Sequence, residues 1–391
     1  MPISTADVVI VGGAVVGSSI AYFLKRDGFK GSVVVVEKDP SYQFRATGRS
    51  LASVRQQFST PENIRLSQFG VGFFKSIKQE FGPEADVGFR ERGYLIMATP
   101  EGRGALEESV KLQQSLGADT ELVEAADIAE RFPWINVEGL SAAGWGRSGE
   151  GWLDAHLLMV QFREGAKARG ATYLADEVVG LAKADGRVSV VKLKSGQEIA
   201  AGVIVCAAGW HSYKVAAMAG VEQLPVRPRK RLAFVVDCPG GPQQAGLTID
   251  PTGVVFRPEG RFFITAISPK EGEPDPDAED FDFDHEVFDR DIWPQLAARV
   301  PVFETLKVQN AWCCHYDVST LDHNAILGPH PQAPGLVLAC GFSGHGLQHS
   351  PGVGRGIAEL LIHGGYRMID LKRLGYERVQ RGEPIVELNV F

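Results

Sequence analysis

The residues best suited to chemistry fall in two groups at opposite ends of the chain. Near the start, Gly12-Gly13-Ala14-Val15-Val16-Gly17 separates two apolar runs, and the second run, SVVVVE, ends on Glu37. Backbone N–H groups converging at a helix N-terminus can bind a diphosphate, and glycines let that backbone come close. The outer glycines of such a fingerprint are present, while Ala14 takes the middle place and adds one methyl at the nearest approach. Glu37 is placed to accept hydrogen bonds from ribose hydroxyls and would repel a 2′-phosphate, which disfavours NADP. Toward the other end, Cys314-His315-Tyr316 and the turn Gly341-Phe-Ser-Gly-His-Gly346 gather a thiol, two imidazoles and a phenol. Arg49, Arg55 and, more weakly, Arg257 add guanidinium forks suited to phosphate or carboxylate.

These residues need elements to position them. Asp7 to Val11 reads as a buried parallel strand, Ala14 to Arg26 as a helix and Ser32 to Glu37 as a second buried strand, which completes a β-α-β unit. Helical spacing follows from Pro61 to Lys78 and from Glu101 to Phe132, with a strand-like alternation between them at Gly88 to Ala98. Glu177 to Ala207 reads as a hairpin, turning at Asp185-Gly186, followed by a buried strand. From Leu232 to Tyr316 the segments LAFVVD, GVVFRP, RFFITAIS and VQNAWCCHY predict an antiparallel sheet. The basic run Arg227 to Arg231 reads as a solvated connection, and the acidic passage Glu271 to Asp291 as an exposed loop leading into a helix near Val287 to Val300. Leu336 to Cys340 predicts a last strand, and Arg355 to His363 a helix.

Composition narrows the field. A chain of 391 residues with 44% hydrophobic and 23% charged residues is an ordinary globular protein, and its net charge of -8 argues against nucleic acid or an anionic membrane as partner. The five cysteines show no C-x-x-C pair and no zinc-like spacing, so the expectation is reduced thiols in a cytoplasm and no metal. The apolar stretch from Val8 to Leu24 follows Asp7 and is broken by Gly12, Gly13 and Gly17, so neither a signal peptide nor a membrane span is expected.

The N-terminal unit, Ala46-Thr-Gly-Arg-Ser50 running into Val54-Arg-Gln-Gln57, the Ala207-Ala-Gly209 turn and Gly341 to Gly346 together resemble the FAD-dependent D-amino-acid oxidase superfamily. Within it the resemblance is to the branch of sarcosine oxidases and dimethylglycine dehydrogenases, over essentially the whole chain. It implies an α/β fold: a discontinuous Rossmann-like FAD-binding domain (residues 1–85, 145–225 and 320–391) interleaved with an antiparallel-sheet substrate domain (86–144 and 226–319).

The resemblance also implies roles. Gly12 to Gly17 would hold the FAD pyrophosphate, Glu37 and Lys38 the ribose region, and Val179 the adenine. Thr47, Gly48, Arg49, Ser50, Ser53, Val54 and Arg55 would run beside the flavin, with Ala208, Gly209 and Trp210. Gly344, His345, Gly346 and Leu347 would meet its pyrimidine edge, with Gly341 and Gln348 as further FAD contacts. Cys314 is a thioether site or simply a small buried residue, Tyr316 a substrate contact, and His315, His345, Arg55 and Arg257 further pocket residues. Gln348 and Phe58 stand where sarcosine oxidases carry a lysine and an arginine for the substrate carboxylate, and Arg261 to Ser268 has no lysine to assist reaction with oxygen.

The activity implied is hydride transfer from a secondary or tertiary amine, an N-substituted amino acid, to the flavin, followed by imine hydrolysis. D-amino-acid or opine dehydrogenation stands as an alternative. So does a flavoprotein assembly factor, since GFSGHGLQHSPGVGRGIAELL resembles the closing segment of a flavoprotein involved in respiratory-complex assembly. An electron-acceptor protein or a second copy of the chain is the partner left open.

Overall fold

The computed structural model describes residues 3–268, 280–282 and 284–388; residues 271–279 and 283 of the acidic passage lie outside them. The first apolar runs form Thr5–Val11 and Val33–Glu37, central strands of a parallel sheet ordered Ile326–Pro329, Leu336–Cys340, Glu198–Cys206, Thr5–Val11, Val33–Glu37, Thr172–Ala175. Val9 stands beside Ile204, and Ile10 beside Val35. Such strands are apolar on both sides because helices cover one face and a further core the other. The hairpin Val178–Ala184 with Arg187–Leu193 joins this sheet along Glu198–Cys206.

Helix Val15–Arg26 packs between Ala155–Ala168 and Gly346–His363. Its buried Tyr22 and Phe23 meet Phe73, Phe81 and Phe162, with Phe73 and Phe162 stacked at 5.2 Å. The last long helix begins at Gly346, nine residues before the start that the apolar spacing suggested, and carries Pro351 near its N-terminal end. Its glycines let it lie against the first helix: a Cβ at Gly354 would stand 2.1 Å from Ser19 Oγ. Close packing thus overrides a poor helix propensity.

The second sheet runs Lys307–Ser319, Val226–Asp237, Phe262–Ile267, Val254–Glu259, Leu247–Ile249, Tyr94–Ala98, Ala142–Gly146, Thr120–Glu124. Two readings change here. Thr120–Glu124 is a strand between helices Arg103–Ser115 and Ala125–Arg131, within a stretch whose spacing looked helical throughout. The basic run lies inside Val226–Asp237, paired in register with Lys307–Ser319, and is not a solvated connection. One face of this sheet buries Phe234, Phe256, Phe263 and Phe303 beneath helix Trp293–Arg299; the other faces the parallel sheet. No helix among the described residues is long and apolar enough to cross a membrane.

Candidate active site

Between the two sheets lies a cavity of about 1820 Å³, partly open to solvent. Two helix N-termini reach it, Val15–Arg26 behind Ala14 and Gly346–His363 behind His345, and no described side chain caps either. Their first-turn amides carry partial positive charge toward the cavity.

At the first end, Gly12 takes φ +99°, and a Cβ there would stand 2.4 Å from Ala207 O; a Cβ at Gly17 would lie 1.9 Å from Gly12 O. The turn therefore closes only with glycine at both places. Gly12, Ala14, Val15 and Val16 line the cavity, whereas Gly13 and Gly17 lie behind it and shape the turn. The Gly13 amide donates to Glu37 Oε2 at 2.9 Å. Oε1 of Glu37 accepts from Asp39 N at 2.8 Å and from Arg45 Nη2 at 2.9 Å, which fixes the acid in the wall. Lys38 Nζ lies 3.1 Å from Nε2 of His211, whose pKa burial and then the Lys38 charge pull down to about 3. His211 is thus neutral and accepts from Lys38. Val178, rather than Val179, is in this wall; Val179 is 50% exposed, because neighbours on a strand face opposite ways.

Along the middle, Thr47, Arg49, Ser50, Ser53, Ala208, Gly209 and Trp210 line the cavity, while Gly48 and the fully buried Val54 do not. Arg49 donates to Gln43 O at 2.9 Å and to Cys313 O at 2.6 Å, and its own carbonyl accepts from Trp312 Nε1 at 3.0 Å. It clamps the Thr47–Arg49 turn onto the antiparallel sheet.

At the far end Gly344, His345, Gly346 and Leu347 form the wall, with Gly341 and Gln348 behind. Asp317 holds the turn: its Oδ2 accepts from Gly341 N at 2.7 Å and Phe342 N at 3.2 Å, and its carbonyl accepts from Ser343 N at 2.7 Å. Burial raises its pKa to about 6 against those donors. Gln348 Oε1 accepts the Arg55 backbone N–H at 2.7 Å. The Arg55 side chain, 2% exposed, donates to Gln57 O and His345 Nε2 and lies 3.9 Å over the Phe58 ring. Behind it the buried Glu150 accepts from Gln56 N and, at 2.8 Å, from Gln57 Nε2; burial raises its pKa to about 7.

Tyr316 and Cys314 face the cavity, with the Arg231 guanidinium 5.0 Å over the Tyr316 ring. Burial pushes the Cys314 thiol up to about 11. Two expected site residues lie elsewhere. His315 points to the opposite face of the same strand, against Trp210 at 5.2 Å and Phe281 at 4.9 Å. Arg257, also outside the wall, donates to Leu51 O at 2.9 Å, Pro258 O at 3.1 Å and Glu259, tying sheet to loop.

The wall also holds Arg231, Tyr94 and Asp317, which sequence reasoning did not single out. Pro228 within the basic run hid the strand alternation that aims Arg231 inward. For Asp317 the signal was an acid directly after Tyr316.

Among the described residues no cluster of His, Cys, Asp and Glu is arranged to hold a metal ion. The donor set fits a dinucleotide: uncapped first-turn amides of helix Val15–Arg26 behind Ala14 for a diphosphate, Glu37 for ribose, and the amides of Gly346 and Leu347 for an anionic ring edge.

Comparison with known proteins agrees with that fit. The sequence profile of the family described as FAD dependent oxidoreductase (DAO) matches residues 7–360. The chain is 39% identical to "FAD-dependent oxidoreductase domain-containing protein 1" of Xenopus laevis, across 100% of this chain and 86% of that protein. It is 26% identical to mitochondrial sarcosine dehydrogenase of Mus musculus, over 92% of this chain but only 40% of the other. Among solved structures, L-proline dehydrogenase from P. horikoshii superposes with a TM-score of 0.87 at 26% identity, covering 98% of this chain and 100% of that one. The chain is an FAD-binding oxidoreductase and belongs to the FAD dependent oxidoreductase family.

Proposed function

We propose that the protein oxidises a secondary or tertiary amine that carries a carboxylate, an N-substituted amino acid. One arrangement carries the reading: Arg231 stacked over Tyr316 on the cavity floor, with the helix N-terminus at Gly346 in the same cavity. Arg231 and Tyr316 give a carboxylate a cationic fork and a phenol donor. The same cation, with the buried Arg55, raises the cost of an ammonium, so these residues select the amine in its neutral form. FAD, when bound, supplies the two-electron acceptor for the hydride on the carbon next to nitrogen. The nitrogen lone pair forms the new C=N bond, and water then adds to the iminium carbon to release a carbonyl compound and the smaller amine. Sarcosine dehydrogenase and L-proline dehydrogenase, to which the chain is similar, support the substrate class.

Anaerobic mixing of the yellow protein with N-methyl amino acids, D-amino acids and opines tests this. Bleaching by N-substituted amino acids is the expected result. Bleaching by D-amino acids or opines alone would replace the substrate class. A flavin that no amine reduces, in a protein that stably captures a partner chain, would favour the assembly role.

A further inference from the structure

One face of the antiparallel sheet floors the cavity, and it changes character across its width. Tyr316 and Cys314 stand on one strand, with Arg231 opposite Cys314 on the next, and Ala233 follows two residues on. Beyond the intervening strand Phe262–Ile267 come Val255 and then Leu247 and Ile249, all at most 5% exposed and all in the cavity wall. With strands about 4.8 Å apart, this floor extends about 10 to 14 Å from Arg231 across wholly apolar wall residues. Their sequence neighbours Leu232 and Phe256 point away into the aromatic core on the other face. The alternation therefore presents these side chains to the cavity by register.

The reaction proposed above uses Arg231 and Tyr316 but none of this apolar floor. Sarcosine, anchored by its carboxylate, would set no group of its own against Leu247, Ile249 and Val255. We propose that the apolar half of the floor is a side-chain pocket, and that the substrate is an amino acid bearing a branched or cyclic apolar group of about four carbons or more. The inference rests on the carboxylate of that reading being held at Arg231.

Simple carboxylates probe the pocket without turnover. The FAD-loaded protein is titrated with acetate and with 3-methylbutanoate while the flavin absorbance is followed. At about fourfold per buried methylene, 3-methylbutanoate is expected to bind about 60-fold tighter. In Val255→Asp, and in Val255→Phe should the first variant not fold, the ratio of the two dissociation constants falls toward one. Equal affinities in the unaltered protein, or a ratio that neither variant changes, would overturn the pocket.

In anaerobic reduction N-methylleucine should outpace sarcosine on the order of a hundredfold in rate constant over dissociation constant. Equal or faster reduction by sarcosine would overturn the inference and leave amine oxidation standing. A carboxylate preference in a protein whose flavin no amine reduces would keep the pocket and end the amine reading.

Discussion

Nη2 of Arg55 lies 3.0 Å from Nε2 of His345, both groups buried in the wall of the cavity between the two sheets. Arginine has no acceptor, so the imidazole accepts, and its proton sits on Nδ1. Burial, followed by the Arg55 charge, holds the His345 pKa well below its ordinary value, so the ring stays neutral. The same guanidinium serves Gln57 O and lies flat on Phe58. A lysine ammonium cannot make both bonds in that fork and stack as well. Arg55→Lys is expected to keep FAD but to slow flavin reduction roughly tenfold or more, the equivalent of a lost charged hydrogen bond of about 1.5–3 kcal/mol. Stopped-flow reduction at unaltered rate would remove Arg55 from the site.

The glycine turn makes a contrasting pair. A methyl at Gly12 collides with Ala207 O in a backbone conformation that L-residues rarely adopt, whereas the methyl of Ala14 faces the cavity. Gly12→Ala should purify colourless and bind added FAD at least about a hundredfold more weakly, while Ala14→Gly should bind as tightly as the parent or a few-fold tighter. Fluorescence titration with FAD measures both, and a yellow Gly12→Ala protein of parental affinity would contradict the cradle.

Legibility in the sequence followed local pattern. Continuous apolar strands flanking Gly12 to Gly17 specify their own environment, so the β-α-β unit and Glu37 could be placed without the fold. Arg231 could not, because a five-residue basic run containing Pro228 resembles a loop until pairing with Lys307–Ser319 shows which residues face inward. A single step along a strand likewise separates Val178 in the wall from Val179 in solvent, and Tyr316 from His315. The start of the last helix was hidden because glycines that pack closely, Gly352 on Leu66 and Gly354 on Ser19, read as a turn. Tertiary pairing, which no local window contains, decided each of these.

Cys314 lines the cavity, but burial raises its thiol to about 11, so little thiolate exists near neutrality. The thiolate is the reactive form. Acid precipitation is therefore expected to release the flavin into the supernatant, and Cys314→Ser to purify as yellow as the parent. Flavin that stays with the precipitated chain, and is lost from it in the serine variant, would show attachment at this residue.

The C-terminal segment holds the stretch that follows Arg55. Glu387 Oε1 accepts from Ser59 N and Ser59 Oγ, both at 2.7 Å, and Oε2 from Thr60 Oγ1 at 2.9 Å and Asn63 Nδ2 at 3.0 Å. It thereby ties the tail to the start of helix Pro61–Lys75, and its charge also favours the buried Arg55 cation. Glu387→Gln should lose about 1.5–3 kcal/mol in urea unfolding, and deletion of residues 387–391 at least as much. Unchanged stability in both would mean that the tail is dispensable.

Glu150 supplies a pH signature with a definite sign. Burial raises its pKa from 4.5 to about 7 in the folded protein. Between those values the folded chain binds the proton more tightly than the unfolded chain does. The resulting stabilisation is full below the unfolded pKa and is lost as pH rises through the folded one, for a swing of about 3 kcal/mol. Buried His349, lowered to about 3 mainly by burial, acts in the opposite direction, so the parent curve alone mixes the two. Comparing the parent with Glu150→Gln isolates the carboxyl group, since His349 is common to both. Between roughly pH 5 and pH 8 the parent should lose about 3 kcal/mol more unfolding free energy than the glutamine variant. Parallel pH curves for the two proteins would show that Glu150 is ionised throughout.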